Sequence, residues 1–170
     1  MIVLARPRDV PSLPAIERAA ARLLEGLVPA SVMDETTDVE ELAAAQAAGR
    51  LWVALVDDAP VGFAHVVLRD DGVPHLEEID VHPAYGRRGL GAGLVRAVCE
   101  WAAASGHREL TLTTFRDVAW NAPFYARLGF VIVDRDDWPP AIAGIVDGET
   151  ARGLDPATRV VMTHRPRASR

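Results

Sequence analysis

The stretch Val81-His82-Pro83-Ala84-Tyr85-Gly86-Arg87-Arg88-Gly89-Leu90-Gly91-Ala92-Gly93-Leu94 carries the punctuation from which this chain is read. An apolar run ends at Val81, Pro83 closes it, and a turn rich in Gly and Arg opens a helix at about Leu90. That helix runs to Ala104 and keeps Leu94, Val95, Val98, Cys99, Trp101 and Ala102 on one stripe, with Arg96 and Glu100 outside it. Backbone N–H groups at such a helix start have no intrahelical acceptor, and the helix dipole adds positive character there. Glycines carry no Cβ to hold a bulky anion off, so a diphosphate can lie on the backbone itself. Arg87 and Arg88 add formal charge beside it. A nucleotide P-loop is excluded, because Lys and then Ser or Thr would have to follow the last Gly. A dinucleotide fingerprint is excluded too, since Leu94 stands where its third Gly belongs.

Upstream, Met1 to Leu4 reads as a strand, and Asp9 with Pro11 and Pro14 introduces a helix reaching Leu24. A looser segment, Gly26 to Thr37, precedes a helix that Asp38 can cap and Gly49 ends. Leu51 to Val56 and Val61 to Leu68 form a hairpin about Asp57-Asp58-Ala59-Pro60. The turn Asp70-Asp71-Gly72 leads into a strand from His75 to Val81. Downstream of the long helix, Glu109 to Phe115 alternates as a strand does, and Pro123 to Leu128 is a short helix stopped by Gly129. Phe130 to Val133 and Arg159 to Thr163 are strands flanking a helical excursion or loop from Pro139 to Pro156. This order predicts one α/β (α+β) domain over residues 1–170, with a mixed sheet.

The 170 residues are 49% hydrophobic and 25% charged, ordinary globular proportions that allow a core without staples. A net charge of −6 argues against a nucleic-acid partner. Cys99, the single cysteine, can form no internal disulfide or thiolate metal site, and no His–carboxylate spacing suggests a metal. No membrane span or leader pattern is found, so a cytoplasmic location is expected.

The turn resembles that of the GNAT superfamily of N-acetyltransferases. Val81, Pro83, Tyr85, Gly89, Leu90, Gly91 and Leu94 fit the family's pyrophosphate motif, with Gly86 standing where Arg or Gln is usual. A second stretch, Asn121-Ala122-Pro123-Phe124-Tyr125-Ala126-Arg127-Leu128-Gly129-Phe130, is similar to the family's downstream signature, slightly compressed between Asn121 and Phe124. The resemblance implies a mostly antiparallel central sheet flanked by helices, with a V-shaped splay of strands for acetyl-CoA. It implies transfer of acetyl directly to a primary amine of a small molecule or peptide; an acyl-CoA-binding module without turnover is the alternative. Homodimers are common among such proteins.

On this reading Arg87, Arg88 and the backbone from Gly89 through Leu90, Gly91, Ala92 and Gly93 bind the cofactor's diphosphate. Ile79, Asp80 and Val81 offer backbone groups to the pantetheine amides, and Asn121 and Phe124 complete the cofactor site. Tyr125 is the candidate general acid for the departing sulfur. Strand alternation places Glu77 with Ile79 and Val81 on one face, and Glu78 with Leu76 and Asp80 on the other. The resemblance favours Glu77 as base, with Glu78, or water alone, as the other possibilities. His65 and His75 are assigned structural roles. Asp34, Glu35 and Asp38 hint at a cationic acceptor.

Overall fold

The computed structural model describes residues 1–166; the last four positions of the expected domain lie outside it. The strands are β1 (Ile2–Leu4), β2 (Leu51–Val56), β3 (Ala59–Leu68), β4 (Pro74–Val81), β5 (Leu110–Phe115), β6 (Val131–Ile132) and β7 (Arg159–His164). The helices are α1 (Leu13–Ala21), α2 (Ala30–Met33), α3 (Val39–Ala47), α4 (Leu90–Ala104), α5 (Ala122–Arg127) and α6 (Pro140–Ala151). The sheet is open and ordered β1-β2-β3-β4-β5-β7-β6. β4 and β5 run parallel, registered at His75 opposite Thr111, as a strand–helix–strand crossover requires. The pairs β1/β2, β2/β3, β5/β7 and β6/β7 are antiparallel.

The chain forms two compact units, one of Met1–Val67 with Glu77–Val98, the other of Leu68–Leu76 with the residues from Cys99 onward. In the first, α1 and α3 set Leu13, Ile16, Leu42 and Ala45 against Leu51, Val53, Leu55 and Phe63 of β2 and β3. Full burial of each of these larger side chains, Ala45 aside, contributes about 1.5–3 kcal/mol. The β2–β3 turn is tighter than the sequence suggests. Asp57 and Asp58 both adopt left-handed backbone, φ 50° and 60°, the geometry of a two-residue hairpin turn, so Pro60 falls inside β3. Asp58 then accepts from Arg6 Nη1 and Arg8 Nη2, each at 2.8 Å. Gly62 has a local reason to be glycine: a Cβ there would lie 2.7 Å from the Asp80 carbonyl oxygen and 3.1 Å from Val81 Cγ2. β3 thus presses directly on the part of β4 that carries the carboxylates.

In the second unit, α6 packs Ile142 and Val146 on Val161 of β7, with Val133, Trp138 and Ile145 around them. Glu149 of α6 is 6% exposed and pairs with Arg159 Nε (3.0 Å) and Nη2 (2.9 Å), while the Thr113 hydroxyl donates to the same carboxylate. Arg159 also lies over the Phe115 ring at 4.6 Å. His75 and Thr111 meet at 2.9 Å beside Arg69, whose Nη1 donates to Thr111 at 3.1 Å. Among the described residues, no helix is long and apolar enough to cross a membrane.

Candidate functional site

In the first unit β4 ends at Val81 and the chain turns through Pro83–Tyr85 before α4. The turn is locked from within. The N–H of Tyr85 bonds the His82 carbonyl (2.8 Å), that of Gly86 bonds Pro83 (3.1 Å), and the Ala84 N–H reaches His82 Nδ1 (3.2 Å). Arg88 stacks over the Tyr85 ring at 5.3 Å. Arg87 adopts φ 61° and Gly89 φ 78°, so two left-handed residues bracket Arg88 just before the helix. The earliest bond closing α4 from the turn is Gly93 N–H to Gly89 C=O, at 2.9 Å. Among the described residues, the N–H groups of Arg87 to Ala92 meet no backbone acceptor. Alternation between left-handed and ordinary backbone is what builds an anion-binding nest, and here it feeds the positive end of a 15-residue helix.

On β4 the two faces differ. Glu77 is exposed, whereas Glu78 and Asp80 are half-buried on the opposite face. There they meet Glu17 of α1, and carboxylate oxygens of all three lie within 4.8 Å of one another. Both Glu17 oxygens accept from the Thr37 N–H (3.0 and 2.9 Å), and the Thr37 hydroxyl adds a third bond (3.2 Å). Asp80 Oδ2 is buried with no hydrogen-bond partner. Burial, with the Glu17 charge second, pushes the Glu78 carboxyl up to about 7. Burial and then the Glu78 charge push Asp80 well above the ordinary carboxylate range. Glu17 is raised by burial against the opposing pull of Thr37. Three carboxylates this close cannot all ionise cheaply, so the group holds on to a proton more strongly than free carboxylates do.

In the second unit β5 ends at Phe115 and α5 begins after Asn121. α5 closes as a Schellman motif: Phe130 N–H bonds the Tyr125 carbonyl (3.1 Å), Gly129 N–H bonds Ala126 (3.1 Å), and Gly129 takes φ 91°. This stop folds Phe130, 2% exposed, back on Tyr125, 7% exposed. The Tyr125 ring meets Phe130 edge-on at 5.8 Å and Phe124 at 5.1 Å, so its direction is set by packing on two sides. Asn121 occupies the position before α5, yet its side chain makes no cap bond; its Oδ1 accepts from Thr114 Oγ1 at 2.6 Å.

The structure therefore brings Glu78 and Asp80 together and leaves Glu77 on the other face of the strand. Ile79 and Val81, half-buried, share that other face, as strand alternation dictates. Glu17 and Thr37 were not singled out from the sequence. The available signal was a glutamate one turn after Leu13 and next to Ile16, on the helix face that goes inward. Asp38 is occupied as the α3 cap, accepting from the Glu40 N–H at 2.6 Å. His65 and His75 are buried, and burial lowers each to about 4, as befits neutral core imidazoles.

The chain is similar to several known proteins. An aminoglycoside N(6')-acetyltransferase type 1 of Salmonella typhimurium is 29% identical over 92 residues, covering 49% of this chain and 63% of that protein. The match thus spans less than two thirds of that relative's length. The PaiA N-acetyltransferase of Thermoplasma acidophilum, solved with coenzyme A, superposes with a TM-score of 0.73 at 16% identity, covering 97% of this chain and 98% of that one. The ribosomal-protein-S18-alanine N-acetyltransferase of Escherichia coli gives 0.66 at 19% identity, covering 100% and 96%. These last two likenesses are of fold. The sequence profile described as "Acetyltransferase (GNAT) family" matches residues 16–130, and the chain belongs to that family.

Proposed function

We propose that this chain is an acetyl-CoA-dependent N-acetyltransferase, one catalytic domain that moves acetyl directly onto a primary amine of a small molecule or peptide. The observation that carries the reading is the run of unpartnered N–H groups from Arg87 to Ala92 before α4. A run of that length, with left-handed Arg87 and Gly89 and two arginines, suits a diphosphate, and so fits coenzyme A. The coenzyme A bound in the Thermoplasma neighbour supports the same ligand. A cytoplasmic setting and a homodimer belong to the same proposal.

Acetyl-CoA supplies an activated acyl carbon as its thioester. The chain has to hold it, free the amine of its proton, and protonate the sulfur that leaves. Glu78 is the base this reading prefers. A carboxyl titrating at about 7 is half ionised at neutral pH and holds a proton strongly enough to take one from an ammonium through water. The Glu17 charge maintains that proton affinity and attracts a cationic acceptor, and Glu77, exposed on the other face, is the comparison position. The amine nitrogen forms its bond to the acyl carbon and the carbon–sulfur bond breaks. The first proton of the ammonium ends on Glu78, the Tyr125 phenol supplies one to sulfur, and the second proton lost from nitrogen restores the phenol.

The test is thermal stabilisation by acetyl-CoA, then thiol release with polyamines, aminoglycosides, amino acids and peptides. Tyr125→Phe should lower turnover about a hundredfold while leaving acetyl-CoA affinity within about twofold. Stabilisation without thiol release across the panel would identify a binding module instead. Absence of stabilisation would remove the cofactor assignment.

A further inference from the structure

Gly93 stands among the residues expected to bind the cofactor's diphosphate, yet its N–H is already spent on the Gly89 carbonyl, at 2.9 Å. What Gly93 faces is another strand. A Cβ there would lie 3.1 Å from Ile2 Cγ1 and 3.5 Å from Ile2 Cδ1, on β1. Gly86 and Gly89 make no such approach. A Cβ on Gly89 would meet nothing within 4 Å, and one on Gly86 would meet only the Pro83 carbonyl of its own turn, at 3.2 Å. The lack of a side chain at Gly93 therefore serves contact with β1.

Ile2 sits on a clamped strand end. Its backbone is paired with Ala54, the Met1 ammonium donates to the Leu55 carbonyl (2.9 Å), and the Leu55 N–H donates back to Met1 (2.8 Å). A β-branched side chain on such a strand has little freedom at χ1. α4 is anchored in the core from Leu94 and Val95 onward, both 0% exposed, whereas Arg87, Arg88 and Gly89 are exposed. Gly93 and Ile2, both half-buried and both in the first compact unit, meet where the anchored helix passes into the exposed turn. We infer that Ile2 is a positioning residue: through Gly93 it sets how closely the first turn of α4 approaches β1, and so where the N–H groups of Arg87 to Ala92 stand. This rests on the acyl-CoA reading above, in which those groups hold the diphosphate.

The experiment measures coenzyme A binding by calorimetry, KM and kcat for acetyl-CoA, and melting temperature in the wild type, Gly93→Ala, Ile2→Ala and the double variant I2A/G93A. Alanine is the better helix residue, so if Ile2 merely yields, G93A melts higher and binds as the wild type does. If Ile2 holds, the added methyl pushes the first turn off its seat. G93A should then weaken coenzyme A about five- to tenfold, with the loss in KM and not in kcat. I2A, which leaves the turn unsupported, should weaken it about threefold. In the double variant the added methyl occupies space the shortened side chain vacates, and affinity should return to within about twofold of the wild type. A merely structural contact would move melting temperatures and leave affinity alone. The inference is overturned if G93A binds like the wild type, or if the two losses add. Wild type that fails to bind coenzyme A overturns the acyl-CoA reading and this inference with it; wild-type binding with an unaffected G93A overturns the inference alone.

Discussion

Glu78→Gln should make the protein more stable and less active at the same pH, a pairing of signs that few other roles produce. The carboxyl is raised from its ordinary 4.5 to about 7, by burial first and the Glu17 charge second. Between those values the native state binds more protons than the unfolded chain, so this group's contribution to stability falls as pH rises through the window. Above pH 7 the native state carries an ionised Glu78 at a cost of about 3 kcal/mol, and the neutral glutamine does not. Urea unfolding of both proteins at pH 5 and pH 8 should give nearly equal stabilities at the lower pH. At the higher pH the variant should lead by up to about 3 kcal/mol. His65 and His75 act in the opposite sense. Lowered to about 4, they cost stability as pH falls below 6.5, but they are common to both proteins and cancel in the difference. Turnover, measured as thiol release with an amine the wild type accepts, should fall about a hundredfold or more and lose its inflection near neutral pH. Equal stabilities at pH 8, with the inflection retained, would refute both the buried cluster and the assignment of the base.

Arg87→Gly removes left-handed strain at φ 61° and one of the two charges proposed to meet the phosphates. It should raise stability in denaturant by about 1 kcal/mol and weaken coenzyme A in calorimetry about tenfold. Glu149→Ala leaves Arg159, whose side chain is 11% exposed, without its buried partner. It should cost about 3–5 kcal/mol in urea unfolding, enough to lower the melting temperature by roughly 10 °C. Gly62→Ala drives a methyl to 2.7 Å from the Asp80 carbonyl and should destabilise by about 1–3 kcal/mol. By displacing β4 it should also shift the neutral-pH inflection of turnover; an unmoved profile would detach Gly62 from the carboxylates.

The helix after the Gly-rich turn, the strands on either side of it and the Gly129 stop were legible because local chemistry dictates them. Leu94, Val95, Val98 and Ala102 of the forecast stripe are buried, and Cys99 and Trp101 are half-buried at its edge. What local pattern cannot convey is which polar side chains the fold brings together. Glu17 is 61 positions from Glu78, and only packing of α1 makes them neighbours. Alternation alone names two faces of β4 without saying which is covered, so the half-burial of Glu78 and exposure of Glu77 were not legible. Asn121 was readable as a cap by position; its engagement with Thr114 depends on where β5 ends relative to α5. The helix at Pro140–Ala151 was ambiguous because Gly144 and Gly148 weaken its propensity, and burial of Ile142 and Val146 overrides them.

The grip of Thr37 on Glu17 gives this protein an internal gauge. One peptide nitrogen, on an otherwise irregular stretch, is tethered to the same carboxylate that senses every charge on Glu78 and Asp80. Whatever neutralises that cluster, a proton or the ammonium proposed to bind there, should alter how tightly the tether is drawn. The exchange rate of a single amide can therefore report occupancy from outside the chemistry, without any product being formed.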